Sequence, residues 1–523
     1  MTTNGAGDAT DRRTGTFGLL ERVAGDVPDR LALVEPFVRG LTFAEWLHDS
    51  LALAARLSEA GITSGMRVGL LFDRTHWIDL CVAYFAVQRL GAVTVTVSAG
   101  APASVRDFIT QDAGISAWIA ADPSPAGNGP GGDPYQVLPV EPPRCGDRVP
   151  PPTTSRPDQM ADILYTSGTT GLPKAVVTPH ALFTEVYARP PSARGGIGPP
   201  ILHAFPIGTA AALMMLYAPF QGIDGPGLTH PITRAVAALP EFNTNDVCKA
   251  VADRRVTLLF LTPAMLAHLT MLTSSQREML ASLDVIHCGS APLNPAHVER
   301  IRRMLPSVRV VNAYGTTEAW PAMVEMPSAG ADPDVVGRPA RGTRIRIRSL
   351  ETGLVVGPGV HGRVEMSCPR FRARRSYLHD SVPSKTFLPD GWTATGDIGH
   401  LDEEGNLHLS DRVSDVLNVG GEKLSARPVE IALLSHPMVE AAAVLGLPHP
   451  RLGEYVAAVV VLRPGRTSLN EIRVHLLDRL PPKQIPRRVF AVGSMPVTEN
   501  GKILKNDLKN SIARAEGTLS ELR

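Results

Sequence analysis

A short loop rich in glycine and hydroxyl side chains lies between two mainly apolar segments, Ala161–Leu164 and Ala175–Val177. This arrangement predicts a strand, a loop and a second strand. The loop, residues 165–174, reads Tyr-Thr-Ser-Gly-Thr-Thr-Gly-Leu-Pro-Lys. Glycines let backbone N–H groups turn towards an anion, hydroxyls donate hydrogen bonds, and Lys174 adds a positive charge. The stretch therefore predicts a phosphate-binding loop, although a Gly/Ser/Thr/Pro cluster between apolar segments can also be an ordinary turn.

The loop is not a Walker A motif, because its lysine follows Pro173 and leads into a β-branched segment instead of a helix. Around it, strand-like and helix-like segments alternate, as in the strand Arg67–Phe72 followed by the helix 77–90. Such alternation predicts an α/β fold with mostly parallel sheets covered by helices. Two segments break the pattern. Residues 122–158 predict a surface loop, and Arg344–Arg348 predicts a strand with a solvated basic face.

The length of 523 residues, 44% of them hydrophobic, allows more than one core. We expect a large N-terminal domain, residues 1–411, built from layered, mostly parallel sheets with helices. A small mobile α+β lid, residues 412–523, should follow, because the pattern after Asp411 changes to a compact mixed segment of normal domain size.

The charge balance restricts the partners. Lys and Arg number 52 against 51 Asp and Glu, so no net field favours nucleic acid or an anionic membrane, and we expect neither partner. Five cysteines lie far apart without paired spacing, which predicts reduced thiols in a cytoplasmic protein. The polar N-terminus does not resemble a signal peptide. Small molecules are the expected partners.

The loop resembles the signature of the adenylate-forming superfamily, which comprises acyl- and aryl-CoA ligases, amino-acid adenylation domains and luciferases. Further segments resemble motifs of that superfamily in its order and spacing, from about residue 41 to 505. They are Gly289–Ala291, Tyr314–Glu318, Thr395–Asp397, Asp411–Arg412 and Pro496–Lys505. The side chains of Tyr314–Glu318 themselves indicate a nucleotide site, because they offer an aromatic plane for adenine, a hydroxyl for phosphate and a carboxylate for Mg²⁺.

The resemblance implies ATP and Mg²⁺ as ligands. Thr166 and Glu318 are the expected metal ligands, and both act in catalysis together with Lys502, a cation that neutralises charge as a carboxylate attacks the α-phosphate. Asp397 would accept hydrogen bonds from the ribose. The expected nucleotide-binding residues are Thr166, Ser167, Gly168, Thr169, Thr170, Lys174, Gly289, Ser290, Ala291, Asn312, Ala313, Tyr314, Gly315, Thr316, Thr317, Asp397, Arg412 and Lys502.

Departures from the superfamily pattern concern the acid and the acceptor. Phe205 is followed by Pro206, where amino-acid activators commonly have aspartate, so an α-amino acid is not expected. Ser414 stands where the hinge usually carries Asp or Lys, with Asp415 beside it. The expected acid pocket, small or apolar throughout, consists of Phe205, Gly208, Thr209, Gly289, Ser290, Ala313, Gly315 and Trp320. It predicts an uncharged aryl or short-to-medium acyl acid.

The predicted function is therefore an AMP-forming acid–thiol ligase. It forms an acyl-AMP and pyrophosphate, and then transfers the acyl group to CoA or to the phosphopantetheine of a carrier protein. Gly420 and Gly421 would leave room for the pantetheine arm. Three alternatives stay open: a non-thiol acceptor, such as nitrite acting on an aminoaryl acid; a degenerate nucleotide-binding protein; and an ADP-forming enzyme.

Overall fold

The computed structural model describes residues 15–122, 137–140, 155–166, 173–188, 197–221, 234–326, 335–380, 384–465, 467–497, 503–514 and 520–522. Ser167, Gly168, Thr169, Thr170 and Lys502, predicted to bind nucleotide, lie outside these ranges. The chain divides into two compact units. The N-unit comprises residues 1–331 and 368–391, and the C-unit comprises residues 332–367 and 392–523.

The helices are α1 (Phe17–Asp26), α2 (Phe43–Glu59), α3 (Trp77–Arg89), α4 (Ala103–Ala113), α5 (His180–Val186), α6 (Ala210–Tyr217), α7 (Thr244–Arg254), α8 (Pro263–Leu269), α9 (Ser274–Met279), α10 (Pro295–Met304), α11 (Arg427–Leu434), α12 (Leu469–Leu477) and α13 (Lys505–Arg514).

The strands are β1 (Leu31–Glu35), β2 (Arg39–Thr42), β3 (Arg67–Phe72), β4 (Val93–Ser98), β5 (Ala117–Ala120), β6 (Val137–Pro139), β7 (Met160–Thr166), β8 (Lys174–Pro179), β9 (Ile201–His203), β10 (Val236–Ala238), β11 (Leu258–Leu261), β12 (Val285–Cys288), β13 (Arg309–Tyr314), β14 (Val324–Met326), β15 (Val335–Pro339), β16 (Arg344–Arg348), β17 (Val355–Val356), β18 (Gly362–Ser367), β19 (Ser376–Tyr377), β20 (Thr393–Leu401), β21 (Leu407–Arg412), β22 (Leu417–Val419), β23 (Glu422–Leu424), β24 (Val439–His449), β25 (Gly453–Leu462), β26 (Arg488–Val492) and β27 (Ser520–Glu521).

Two largely parallel sheets form the N-unit. The first has the order β14-β13-β12-β11-β9-β10-β1-β2, parallel from β13 to β1 and antiparallel at both ends. The second has the order β19-β8-β7-β4-β3-β5-β6, parallel from β7 to β6. Parallel sheets need cover on both faces, and helices supply it. The predicted α/β class is confirmed.

Local sequence explains several of these elements. Helix α2 begins at a capping box that the Thr42-x-x-Glu45 spacing predicts: the Thr42 hydroxyl accepts from the Glu45 N–H, and the Glu45 carboxylate accepts from the Thr42 N–H. Helix α3 is apolar on nearly every side, and the residues from Leu80 to Arg89 are all buried. This helix belongs to the main hydrophobic core, which also contains side chains of α2, α5 and α6.

The C-unit contains the antiparallel sheet β17-β16-β18-β20-β21-β15 and a second sheet in the order β23-β22-β25-β26-β27, in which β24 also pairs with β25. Helices α11 and α12 pack on the second sheet through a separate core that includes Val429 and Ile472. The predicted α+β character is confirmed. The C-unit includes residues 332–367 and 392–411 as well as the expected lid, and the motion expected of residues 412–523 stays a prediction.

One expectation from the sequence was wrong, and a second was right only in part. Residues 137–139, assigned to a surface loop, form strand β6, which pairs in parallel with β5. The arginines of β16 form a solvated face only in part, because Arg344 is exposed whereas Arg346 and Arg348 are not. Arg346 and Arg348 pair with Glu365 of β18, a fully buried carboxylate, through N–O distances of 2.5 and 2.7 Å. Glu365 on the neighbouring strand therefore neutralises two arginine charges that solvent was expected to screen. Among the described helices, none is both long and apolar enough to cross a membrane.

Candidate active site

The predicted motifs of the N-unit lie where its parallel strands end. Strands β12 and β13 run in register, with Cys288 opposite Asn312, so Gly289–Ala291 and Gly315–Glu318 follow at the same sheet edge. Strand β9 is parallel to them and ends at His203, just before Phe205. Ligands of open α/β sheets bind at this edge, beyond the carboxyl ends of the strands.

The two strands expected on either side of position 170 are confirmed as the antiparallel pair β7 and β8. Thr166 lies opposite Lys174 at the base of the loop, and both side chains are half-buried. The tip of the loop, residues 167–172, lies outside the described residues. The two ends of the motif are thus held side by side by the hairpin register.

The Thr166 hydroxyl meets the carboxylate of Glu318, although the two residues are 152 positions apart in sequence. Thr166 Oγ1 donates to Glu318 Oε1 over 3.5 Å, and the phenol of Tyr377 donates to the same oxygen over 3.1 Å. Burial and the adjacent Glu318 charge raise the pKa of Tyr377, so its hydroxyl stays protonated and acts as a donor.

This corner has the donor chemistry that Mg²⁺ prefers. Glu318 offers a carboxylate, and Thr166 and Tyr377 offer hydroxyl oxygens, all hard ligands. The part of the chain that the structure describes contains no cluster of three or more His, Cys, Asp or Glu side chains suited to a metal. One carboxylate with few protein ligands fits Mg²⁺, which in ATP-using sites is completed by phosphate oxygens and water.

Lys174 lies close to the same corner. Its ammonium Nζ is 5.4 Å from the centroid of the Tyr377 ring, within the range of a cation–π contact. Tyr377 is placed there by β19, which pairs with β8 so that Tyr377 lies opposite Val176. The loop lysine, a phenol and the acidic residue therefore converge on one point.

The segment predicted to face adenine has a compact backbone. A Cβ on Gly289 would lie 3.0 Å from the carbonyl oxygen of Ala313, so a larger residue would push the two strands apart. Ser290 has a φ of 75°, which is strained for a residue with a side chain. Asn312 is buried, whereas Tyr314 at the end of β13 is half-buried. Thr316 holds the following turn by accepting from the Ala319 N–H.

The predicted acid-pocket residues fall into two groups of the N-unit. Phe205 is buried, with its ring stacked on His203, and Gly208 has a φ of 80° at a point where backbone atoms of β4 lie 3.3 Å from a potential Cβ. Trp320 is also buried, and its ring contacts Phe183. Gly208 and Thr209 also line a small, mainly apolar cavity, together with Trp77, Leu80, Thr96, Leu164, Ala212, Leu213 and Leu216.

In the C-unit, Asp397 and Arg412 are paired across β20 and β21, with Arg412 Nε 3.2 Å from Asp397 Oδ1. Asp411 accepts hydrogen bonds from Ser425 and from the N–H of Ala426. Their predicted contacts with ribose and phosphate remain predictions. So does the role of Lys502.

Ser414 and Asp415, at the expected hinge, form polar contacts with other residues of the C-unit. Ser414 donates to Asp415, whose carboxylate lies 3.1 Å from the ammonium of Lys505; the same ammonium lies 2.8 Å from Glu430. Burial opposes ionisation of Asp415, but Lys505 and Ser414 more than offset it and lower the pKa of the carboxyl. Asp415 is therefore held ionised and paired.

Sequence reasoning missed two residues of this corner, Arg375 and Tyr377. Arg375 is buried, donates from Nη1 to the carbonyl oxygen of Thr317 over 2.6 Å, and places its guanidinium 4.6 Å from the Trp320 ring centroid. The only local signal was a cluster of arginines between positions 370 and 375, followed by an aromatic residue. Such a cluster is usually solvated, as Arg370, Arg372 and Arg374 are here, so the burial of Arg375 alone was not predictable.

Comparison with known proteins agrees with this geometry. The family model for AMP-binding enzymes matches residues 20–370, and the model for the AMP-binding enzyme C-terminal domain matches residues 428–502. The 4-chlorobenzoate–CoA ligase of Arthrobacter sp is 28% identical over 514 residues, with 94% of each chain covered. A fatty acid–[acyl-carrier-protein] ligase of Streptomyces coeruleorubidus is 28% identical over 496 residues, with 90% of this chain and 92% of that protein covered.

Among solved structures, o-succinylbenzoate–coenzyme A synthetase from Bacillus subtilis in complex with ATP and magnesium ion is similar with a TM-score of 0.77. It is 25% identical and covers 94% of this chain and 99% of its own. The predicted resemblance to adenylate-forming enzymes is thereby confirmed. Since the first family model alone matches more than half of the residues, the chain belongs to the AMP-binding enzyme family.

Proposed function

We propose that this protein is an ATP-dependent acid–thiol ligase that activates an uncharged aryl acid as its acyl-AMP and then transfers the acyl group to a thiol. The observation that carries the proposal is the meeting of Thr166 with Glu318, supported by Tyr377 and Lys174 at the same point. A hydroxyl, a carboxylate and a cation at the end of parallel strands suit a magnesium–triphosphate ligand.

In the first half-reaction, an oxygen of the substrate carboxylate attacks the α-phosphorus of ATP, and pyrophosphate leaves. Mg²⁺, when bound at Glu318 and Thr166, supplies charge neutralisation for the phosphates. Lys174 adds a further positive charge at the base of the loop, and Tyr377 orients the Glu318 carboxylate by hydrogen bonding. We propose that the ammonium group of Lys502 is the third cation, and that it screens the repulsion between carboxylate and triphosphate during attack.

The nature of the acid follows from the two groups of pocket residues. Phe205 and Trp320 are buried aromatic side chains, and Gly208 and Gly289 let neighbouring backbone pack where a larger side chain would stand, so this part of the pocket is apolar and offers no charged group of its own. Arg375 is the one charged side chain found beside Trp320 among the described contacts of that ring, and its guanidinium already serves the Thr317 carbonyl. An ionised substituent would lack a free partner there, which favours a neutral aryl acid over a charged one.

The second half-reaction needs a thiolate that attacks the acyl carbon and releases AMP. The two relatives named above act on CoA and on an acyl carrier protein, according to their names. We propose CoA or a carrier-protein pantetheine as the acceptor. A non-thiol nucleophile is the competing acceptor, since the Phe205-Pro206 segment departs from the pattern of CoA ligases.

The test has two stages. Purified protein is first assayed for acid-dependent exchange of labelled pyrophosphate into ATP across benzoates, cinnamates, fatty acids and amino acids. Exchange with a neutral aryl acid is expected, whereas ADP and orthophosphate release, or best activity on a charged amino acid, would overturn the proposal. The best acid is then incubated with CoA, a phosphopantetheinylated carrier protein, an amine or nitrite. AMP release that is faster with CoA or the carrier protein than the hydrolysis of the adenylate in their absence supports the ligase. Acceleration by the amine or by nitrite, and by neither thiol, contradicts the thiol acceptor.

A further inference from the structure

Two side chains of opposite charge lie inside the N-unit, away from solvent; no direct hydrogen bond joins them, and they are called the charged pair below. Asp162 of β7 is completely buried, and Arg375, just before β19, is almost completely buried. Thr94 donates to Asp162 Oδ2 over 3.1 Å, and Arg375 Nε donates to the buried Thr178 hydroxyl over 2.9 Å. Asp162 Oδ1 has no hydrogen-bond partner. A carboxylate and a guanidinium in such a place are expensive unless each compensates the other.

The pair lies on the same face of the sheet as the metal-binding corner. Side chains two or four positions apart on a strand share a face, so Asp162 shares one with Thr166, and Thr178 shares one with Lys174. The register supports this, because Asp162 lies opposite Thr178 just as Thr166 lies opposite Lys174. Arg375 comes just before the strand of Tyr377, and its hydrogen bond to Thr178 places its guanidinium on the same face. One continuous face therefore carries the phosphate corner at one end and the charged pair at the other.

Arg375 contacts two parts of the proposed site at once. Its Nη1 donates to the carbonyl oxygen of Thr317, which immediately precedes the metal ligand Glu318. Its guanidinium also lies 4.6 Å from the ring centroid of Trp320, the aromatic wall of the proposed acid pocket. A single buried cation thus connects the turn that carries the metal ligand with the ring that faces the acid.

Asp162 balances this cation electrostatically. Burial raises the pKa of Asp162 to about 7, and the positive charge of Arg375 acts against that rise. Burial likewise lowers the pKa of Arg375 to about 10, with the Asp162 carboxylate acting in the opposite direction as the largest compensating charge. Each group is therefore costly alone, and each reduces the cost of the other.

We infer that Arg375 is a positioning residue for acid activation, because its guanidinium fixes the Thr317–Glu318 turn and the Trp320 ring together, while buried Asp162, the cross-strand neighbour of the Thr178 that accepts from Arg375, supplies an opposite charge. The inference rests on the proposed function, since it assigns the turn to Mg²⁺ and the ring to the acid. It predicts that loss of Arg375 weakens the binding of Mg²⁺·ATP and of the acid at the same time, although Arg375 touches neither reacting atom.

The test compares Arg375→Met, Arg375→Lys and Asp162→Asn with Arg89→Met, a matched control. Arg89 is another buried arginine of the N-unit, paired with Glu21 at 2.9 Å, and it lies at the opposite end of α3 from the cavity-lining Trp77 and Leu80. Three quantities are measured in each folded variant: the Mg²⁺ concentration giving half-maximal pyrophosphate exchange, the KM for the acid, and the Mg²⁺·ATP dissociation constant by calorimetry. Acrylamide quenching of Trp320 fluorescence, obtained by difference from a Trp320→Phe protein, reports the ring directly.

For Arg375→Met we expect increases of about tenfold or more in the Mg²⁺ requirement and in the acid KM, with stronger quenching of Trp320. Arg375→Lys keeps the charge but loses the planar fork, so it should fold like the wild type and show a smaller increase in both constants. Arg89→Met should lose stability without changing either constant.

Unchanged Mg²⁺, acid and quenching constants in Arg375→Lys and Asp162→Asn would overturn the inference, and so would a parallel change in Arg89→Met. These two variants decide the matter even if Arg375→Met does not fold. Failure of the proposed function is distinguishable, because the wild-type protein would then show no acid-dependent exchange, while calorimetry and quenching would still report on Arg375.

Discussion

Acid should weaken the N-unit through histidines that the fold buries in the neutral form. His180, at the start of α5, is 1% exposed, and its Nδ1 accepts from the Thr16 N–H over 3.2 Å. Burial lowers the pKa of His180 from 6.5 to about 4. A depressed histidine pKa gives stability that is complete above the unfolded pKa of 6.5 and is lost as the pH falls towards the folded value.

The size of the effect at pH 5 follows from the unfolded chain. At that pH the unfolded histidine is almost fully protonated, while the buried one is still mostly neutral, so the unfolded state gains about 2 kcal/mol relative to pH 8. This change in unfolding free energy is set mainly by the pKa of the unfolded histidine, because folded His180 is mostly neutral at pH 5. His203, whose pKa burial lowers to about 3, and His287, lowered to about 4, contribute similarly, whereas Asp162, raised to about 7, acts in the opposite direction.

The decisive measurement is therefore a difference between proteins. Urea unfolding of wild type and His180→Asn is followed at pH 8 and pH 5 by tryptophan fluorescence. This signal reports on the N-unit, because Trp46, Trp77 and Trp118 are buried there. Asparagine can still accept from the Thr16 N–H but does not titrate, so the variant should lose about 2 kcal/mol less than wild type between the two pH values. His48→Asn, on the exposed side of α2, is the matched control. Equal losses in wild type and His180→Asn would refute the reasoning.

Three further outcomes are expected. Glu318→Gln should lower pyrophosphate exchange by roughly 10²-fold or more, because a neutral amide is a poor ligand for Mg²⁺, while Glu325→Gln on the neighbouring strand should have little effect; near-wild-type exchange in Glu318→Gln would contradict the metal assignment. Glu365→Gln should destabilise the C-unit by about 3 kcal/mol, read from Trp392 fluorescence in urea, since it leaves two arginines without their buried counter-charge; a loss below about 1 kcal/mol would show that they are solvated. Gly421→Ala should cost about 1–2 kcal/mol of C-unit stability from backbone strain alone, as its φ is 87° and no atom lies within 4 Å of the added methyl; no change in the urea midpoint would be inconsistent with this.

Gly420 and Gly421, which were expected to leave room for the pantetheine arm, also have a structural role. Gly420 and Gly421 form the turn between β22 and β23, where Val419 lies opposite Glu422, and both have positive φ. Two-residue hairpin turns of this kind require such values and favour glycine. A bulky substitution there would strain the hairpin as well as narrow any passage, so an effect on thiol transfer must be compared with the effect of Gly421→Ala.

The sequence by itself determined the elements whose signal is local. The alternation of strands and helices, the capping box at Thr42 and the hairpin from Thr166 to Lys174 all depend on neighbours within a few residues, and the structure has each of them. The order of the motifs also identified the superfamily. Motif residues such as Thr166 and Glu318 were found because their side chains carry recognisable chemistry at recognisable spacing.

Only the tertiary structure decided which partners these residues meet. Tyr377 reaches Glu318, and Arg375 reaches Thr317, because a two-residue strand pairs with β8 more than 190 positions away from it in sequence, a choice that no local pattern records. The burial of Asp162 and of Glu365 has the same origin. A strand's period shows that it has two faces, but the neighbouring strands and helices decide which face is buried and which charge lies opposite.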